Sequence, residues 1–180
     1  MPLTKTIIEL GNEPVTVAEV KVSARLDEDI SELDGQIQTL ITSTRLTAEH
    51  ECERMFLPCT MLLAFLDWPS GALPLTPIDE LVSVEALAGQ VWVAVDGFEL
   101  LHGIDGTVSV VYTGAPGDLP ALPEHGGERV RVTVKVGCPA YVRSYIIAMA
   151  VHQLTTASAA RPTNPPAYLS GLLDRERNWA

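Results

Sequence analysis

RVRVTVKVGCPAYVRSYIIAMAVHQLTTA, residues 129–157, decides the fold. Val130, Val132, Val134 and Val136 alternate with Arg131, Thr133 and Lys135. A period of two puts the valines on one face of a strand and the polar residues on the other. Past Pro139 the period changes. Ile146, Ile147, Ala150, Val151 and Leu154 recur at helical spacing, and a helix is expected over 140–157. Pro139 stands at its first turn, where a missing N–H costs nothing. A strand and a helix, each with one apolar face, follow each other directly. Each needs another element to cover that face.

Upstream, Thr16 and Glu19 fit a capping box that opens a short helix over 16–26. Asp27, Glu28 and Asp29 favour the positive end of a second helix over 29–56. Ile30, Leu33, Ile37, Leu40, Ile41, Ala48 and Met55 form its apolar stripe, interrupted by Thr44. Glu32, Arg45, Glu49 and Arg54 are expected on its polar face. Pro58 marks its end. Short strand signals then run from Thr60 to Tyr112, with turns at Trp68-Pro69-Ser70-Gly71 and Ala88-Gly89-Gln90 and a hairpin signal at Asp96-Gly97. The Gly- and Pro-rich residues 114–127 read as a surface loop. Residues 1–13 show only a short apolar patch at Ile7-Ile8.

Beyond residue 157, three prolines fall within residues 161–166 and predict a stiff hinge. A helical tail follows, with Tyr168, Leu169, Leu172 and Leu173 on its apolar side and Asp174, Arg175, Glu176 and Arg177 near its end. The fold class is α+β. A helical bundle, its long N-terminal helix packed with a C-terminal core helix, carries an inserted antiparallel β-rich region at 59–137 and a C-terminal helical tail. The expected division is a main domain over 1–161 and a hinge with docking tail over 162–180.

Composition bounds the function. The chain has 180 residues, 47% of them hydrophobic and 19% charged, a globular balance. Its net charge is −11 and its lysines and arginines are scattered, so a basic footprint for nucleic acid is absent. An acidic surface suits a passage through which DNA slides rather than a grip on it. Cys52, Cys59 and Cys138 do not make a disulfide framework, and are read as reduced thiols of a cytosolic protein. The N-terminus lacks a signal-peptide core, and no apolar run approaches the roughly 20 residues of a membrane helix.

Candidate chemical sites fail on spacing. His50-Glu51-Cys52 lacks the His-x-Glu and Cys-x-x-Cys of a zinc deaminase, and residues 50 and 52 point about 200° apart on a helix. Asp27, Asp29 and Ser31 begin like a calcium loop, but the sixth position is Glu32 and the twelfth is Gln38. Phosphate-loop, dinucleotide and nucleophile-elbow motifs are missing. His102, His125 and His152 show no Ser, Cys or carboxylate at a spacing that would mark a catalytic set. Neither catalytic residues nor a metal or cofactor are expected. Trp68, Trp92 and Trp179 are the large aromatics to follow. Trp179 suits an anchor in a partner's pocket.

Several local patterns, in order, resemble the head-to-tail connector (adaptor) family of tailed phages and gene transfer agents. Val15-Thr16-Val17-Ala18-Glu19-Val20-Lys21 is similar to the family's opening helix, with Val17 where leucine is usual. Leu26-Asp27-Glu28-Asp29 and the helix to Arg54 resemble its acidic turn and first long helix. Leu57-Pro58-Cys59-Thr60 resembles the start of its strands. Leu73-Pro74-Leu75-Thr76-Pro77-Ile78 with Val82-Ser83-Val84 resembles its proline-bracketed strand. Val130 to Gly137 resembles the strand before its core helix, although Cys138-Pro139 replaces the aromatic and Val-Pro found there.

The resemblance covers about 15–179 and implies a structural role. Such subunits form rings, typically of twelve copies, that sit below the portal protein and extend the DNA channel. DNA passes through the lumen without sequence-specific binding, and the ring offers a platform to a downstream stopper, neck or tail protein. The implied place is the virion at the head-tail interface, assembled in the bacterial host cytoplasm and away from membrane. The family's C-terminal segment commonly engages the portal. Here that segment contains Tyr168, Leu169, Leu172, Leu173, Arg175, Arg177 and Trp179. Contacts between copies are expected at Glu32, Arg45, Glu49 and Arg54. Deleting 167–180 is expected to cost assembly and not fold. The alternatives are a stopper or tail-completion neck protein and, with no ordered acid, base or nucleophile to carry it, a small-molecule-binding or enzyme domain.

Overall fold

A computed structural model describes all residues except Pro74, Thr76, Asp105, His125, 158–165 and 175–180. Helices and antiparallel sheets make the chain α+β. It divides into two compact units. One holds residues 1–11 and 58–137, the other 12–57 and 138–180.

The first unit is built on a five-stranded antiparallel sheet. Its strands are β1 (Thr4–Leu10), β2 (Cys59–Phe65), β3 (Ile78–Ala88), β4 (Val91–Ala94) and β7 (Val130–Val136), in the order β1-β2-β7-β3-β4. The valine alternation sets its faces. Val130, Val132, Val134 and Val136 lie opposite Phe65, Leu63, Met61 and Cys59 of β2. These residues form one apolar core with Ile78 and Val84 of β3. Burying each such side chain is worth about 1.5–3 kcal/mol. A separate hairpin, β5 (Phe98–His102) with β6 (Val108–Tyr112), contributes Val108 and Val110 to the same core. Trp68 stacks on Phe98 at 5.5 Å, and Phe98 meets Tyr112 at 5.1 Å.

Two features of this unit depart from the sequence pattern. Residues 4–10 form a strand although periodicity assigns them no element. All seven are exposed, so no buried face imposes an alternation on them. Pairing with β2 alone makes β1 a strand. Asp96-Gly97 is not a hairpin turn, because β4 and β5 belong to different sheets. Gly97 lies at φ +86, which lets the chain leave one sheet for the other. The hairpin turn is Gly89-Gln90, where Ala88 pairs with Val91 and Gly89 lies at φ +67.

The second unit holds α1 (Val17–Ala24), α2 (Asp34–Cys52), α3 (Ala140–Ala157) and α4 (Ala167–Gly171). The Thr16–Glu19 capping box is present. Val20, Ile37, Ile41, Ala48, Phe56, Val142, Ile146 and Ala150 share its core.

The second helix begins at Asp34 rather than residue 29. Lys21, buried to 5% exposure, explains the late start. Its Nζ donates to the Glu28 carbonyl at 3.0 Å and pairs with the Asp34 carboxylate at 2.6 Å. Residues 27–30 and 31–34 instead close two turns, with the Ile30 N–H on the Asp27 carbonyl and the Asp34 N–H on the Ser31 carbonyl. The helix ends at Cys52 because Glu53 turns left-handed at φ 52. That turn sends Phe56 into the core and leaves Met55 outside. Thr44 does not break the apolar stripe, being buried within it. Among the described residues no helix is long and apolar enough to cross a membrane.

Candidate functional site

The four residues expected on an outer helix face separate into two groups. Glu32 is exposed and Arg54 half-exposed. Arg45 is buried, which corrects its expected place on the polar face. Its guanidinium donates from Nε to Glu13 Oε2 at 2.8 Å, from Nη2 to Glu13 Oε1 at 3.1 Å, and from Nη1 to Glu49 Oε2 at 2.7 Å. Thr42 donates to Glu13 at 2.9 Å. The other oxygen of Glu49 accepts the backbone N–H groups of Phe56 at 2.7 Å and Leu57 at 3.0 Å.

The planar fork serves both carboxylates, and the Thr42 hydroxyl and the Phe56 and Leu57 N–H groups supply further donors for the negative charge left over, which lets the cluster leave water. Glu49 therefore caps the chain after α2 instead of presenting its charge outward. Burial pushes the Glu13 carboxyl up, but hydrogen bonds from Arg45 and Thr42 and the charge of Arg45 outweigh it and hold the group below the ordinary carboxylate value. The Glu13 hydrogen bond raises Arg45 in turn. The sequence hides this cluster because its members lie 32 residues apart.

The tail residues also separate. Tyr168 is 70% exposed, whereas Leu169 and Leu173 are 2% and 0% exposed. Leu173 belongs to the core of the helical unit, and Leu172 packs against that core. Removing 167–180 would therefore open this core, contrary to the expectation that the deletion spares the fold. Arg175, Arg177 and Trp179, and Pro162 and Pro165 of the hinge, lie outside the described residues.

The sheet carries its charged pairs on the face opposite its core. Lys135 meets Glu80 at 2.7 Å, and Arg131 pairs with Glu128 and stacks over Trp92 at 3.9 Å. Trp92 is thus engaged by a cation on this face. A cavity of about 270 Å³ opens beside Leu10, Gly11, Cys59, Thr60, Lys135 and Val136. Another of about 250 Å³ lies beside β3, β4 and the Asp96-Gly97 corner. Both fall short of the ~300–1,000 Å³ of small-molecule sites. Burial pushes the Cys59 thiol up, which opposes the thiolate form. Among the described residues no group of three His, Cys, Asp or Glu is placed to hold a metal ion.

No protein-family model and no curated protein matches the sequence. Solved structures match in fold. A chain from the virion of a native gene transfer agent (GTA) particle superposes with a TM-score of 0.62 at 18% identity, over 97% of this chain and 95% of that one. A chain from the neck of an empty GTA particle, computed with C6 symmetry, gives 0.61 at 18% identity over the same shares. A chain from the neck of a native GTA particle, computed with C12 symmetry, gives 0.56 at 15% identity over 96% and 94%. The fold read from the order of motifs is thus one that GTA neck and virion chains possess.

Proposed function

We propose that this chain is a non-enzymatic structural subunit of the neck of a gene transfer agent or tailed phage. In this reading it is the head-to-tail connector, a ring below the portal that extends the DNA channel and receives the next neck or tail protein. One observation carries the reading. The fold likeness to GTA neck chains runs over nearly the whole of both chains, so the likeness is of an entire subunit and not of a common supersecondary motif. The order of local patterns from Val15 onward supports it independently.

Within this reading the helical unit acts as a bundle in which α2 and α3 share one core, and 162–180 is the arm toward the portal. Leu169 and Leu173 are occupied inside the subunit, so the docking residues are Tyr168 together with Arg175, Arg177 and Trp179. Glu32, exposed, and Arg54, half-exposed, are the proposed contacts between copies. Arg45 and Glu49 support that surface from within by fixing α2 and the chain after it. A ring of about twelve copies would be held by heterologous contacts, one surface against a different one. The stretch between Arg54 and Arg129 contains no lysine or arginine but many Asp and Glu. A lumen lined by it would repel the phosphate backbone and let DNA slide.

Trp179→Ala and the pair Arg175→Ala/Arg177→Ala test the arm. Binding to the portal encoded beside this chain is expected to fall in both, with thermal unfolding unchanged. Portal binding at the wild-type level in both variants would remove the arm from the proposal.

A further inference from the structure

The hairpin of β5 and β6 has two faces of different character. Phe98, Leu100, Val108 and Val110 belong to or pack on the core of the sheet unit. A period of two puts Glu99, Leu101, Ser109 and Val111 on the other face, where Glu99 stands opposite Val111 and Leu101 opposite Ser109. Leu101 is 61% exposed and Val111 40%. Ile104, between the two strands, is fully exposed.

The fold gives no reason for an isoleucine there. The Gly103 N–H donates to the Thr107 carbonyl at 2.8 Å, and the Gly106 N–H donates to the Gly103 carbonyl at 3.1 Å. Gly106 supplies the left-handed residue, at φ +84, that a short hairpin loop needs. Backbone bonds and a glycine therefore close the loop, and Ile104 buries nothing in return. The base of the hairpin is held as well. Trp68 and Tyr112 both pack on Phe98, and the Leu73 N–H donates to the Val108 carbonyl at 2.7 Å. Ile104 is thus a knob on a braced support. Such a group loses little freedom when it enters a pocket, and a buried anchor of this kind can carry much of an interface.

Charge selects the occupant. Residues 55–128 hold ten Asp and Glu and no Lys or Arg, in a chain whose net charge is −11. Glu99 and Asp96 of this stretch are exposed on the hairpin and at its base. The complement to this surface is apolar at its centre and positive around it. A second copy is a poor source of that. Lys21, Arg45, Lys135 and Arg143 pair with carboxylates of their own subunit. Arg131 pairs with Glu128, and Arg129 donates to the Leu66 and Pro123 carbonyls. Arg175 and Arg177 belong to the arm assigned above to the portal. A second copy would also bring its own excess of carboxylates. The phosphate backbone of DNA is repelled outright.

We propose that Leu101, Ile104 and Val111 dock into an apolar pocket rimmed by lysine or arginine on a different protein, the next protein of the neck. The proposal rests on the reading of this chain as a connector and names the surface of its platform. The arm takes the portal in that reading, which leaves the hairpin for the partner downstream.

The test uses the full chain assembled on purified portal protein, titrated with the purified neck protein encoded next in the same gene cluster. Ile104→Ser and Leu101→Ser are each expected to weaken neck-protein binding by about 30-fold. Portal binding and thermal unfolding should stay at wild type, because neither side chain is buried in the subunit. Binding should weaken with added salt, and less steeply in Glu99→Gln.

Neck-protein binding at the wild-type level in the Leu101→Ser/Ile104→Ser double variant would overturn the docking surface and leave the connector reading standing. Loss of portal binding with neck binding retained would overturn it by turning the hairpin toward the portal. Loss of the ring itself would overturn it in favour of a contact between copies. A wild-type chain that binds neither protein would overturn both the surface and the connector reading.

Discussion

The helical unit settles its difficult groups internally, whereas the sheet unit leaves its apolar edges outside. Around Arg45, one cation, two carboxylates and two backbone N–H groups are matched within the unit, and Leu173 of the tail closes the same unit's core. In the sheet, the hairpin contributes to the core over β7, but Ile7, Leu10, Val91 and Val93 stay exposed at the margins. A group finished inside a subunit serves stability. A group left unfinished serves assembly or is a liability. This contrast can be broken by substitution.

The largest effect is expected from Arg45→Ala. It strands two carboxylates in a site built for a cation, and breaking such a pair costs about 3–5 kcal/mol. Chemical denaturation followed by hydrogen exchange should show the loss in α2 and the segment to Leu57. A loss spread equally through the β strands would mean that the two units unfold as one. Next is Leu173→Ala, expected to cost about 2–5 kcal/mol for a cavity in a closed core. A cost near zero would show that the tail does not seal the unit in solution.

Acid should separate the units by a smaller margin. Glu13 is held low against its burial by Arg45 and Thr42, and Glu19 is held low chiefly by the Thr16 backbone N–H. A carboxylate whose folded value lies below its unfolded value of about 4.3 contributes stability that is fully present above that value. The contribution is lost as pH falls through the folded value. The helical unit should therefore weaken below about pH 4, and Glu13→Gln should flatten that dependence while lowering stability near neutrality. A pH profile identical to wild type in that variant would contradict the role of the cluster. The smallest effect belongs to Lys135→Ala on the open sheet face. Its pair with Glu80 is solvent-exposed, and no measurable shift in thermal unfolding is expected.

The same contrast explains what could be read from sequence. Val130 to Val136 and the helix after Pro139 were legible because one buried face imposes a period. β1 was not legible, since no residue of it is buried. The start of α2 was hidden in Lys21, a lysine whose ordinary reading is a solvated surface residue. Arg45 and Glu49 read as outward-facing charges because spacing along a helix reports a face but not what covers it. Glu13, arriving from before α1, covers it. The buried part of the tail shows the reverse case: its leucines were rightly seen as one apolar side, but the partner they meet is their own unit. Sequence periods report burial well. They do not report which charge has found a partner across the chain, and the candidate surfaces depend on that.

Electron microscopy of the purified chain mixed with its neighbouring portal protein tests the central claim most directly. The account predicts a ring of this chain capping the portal, with the DNA channel continued through it. A chain that stays monomeric beside the portal, or joins only tail components, would contradict it.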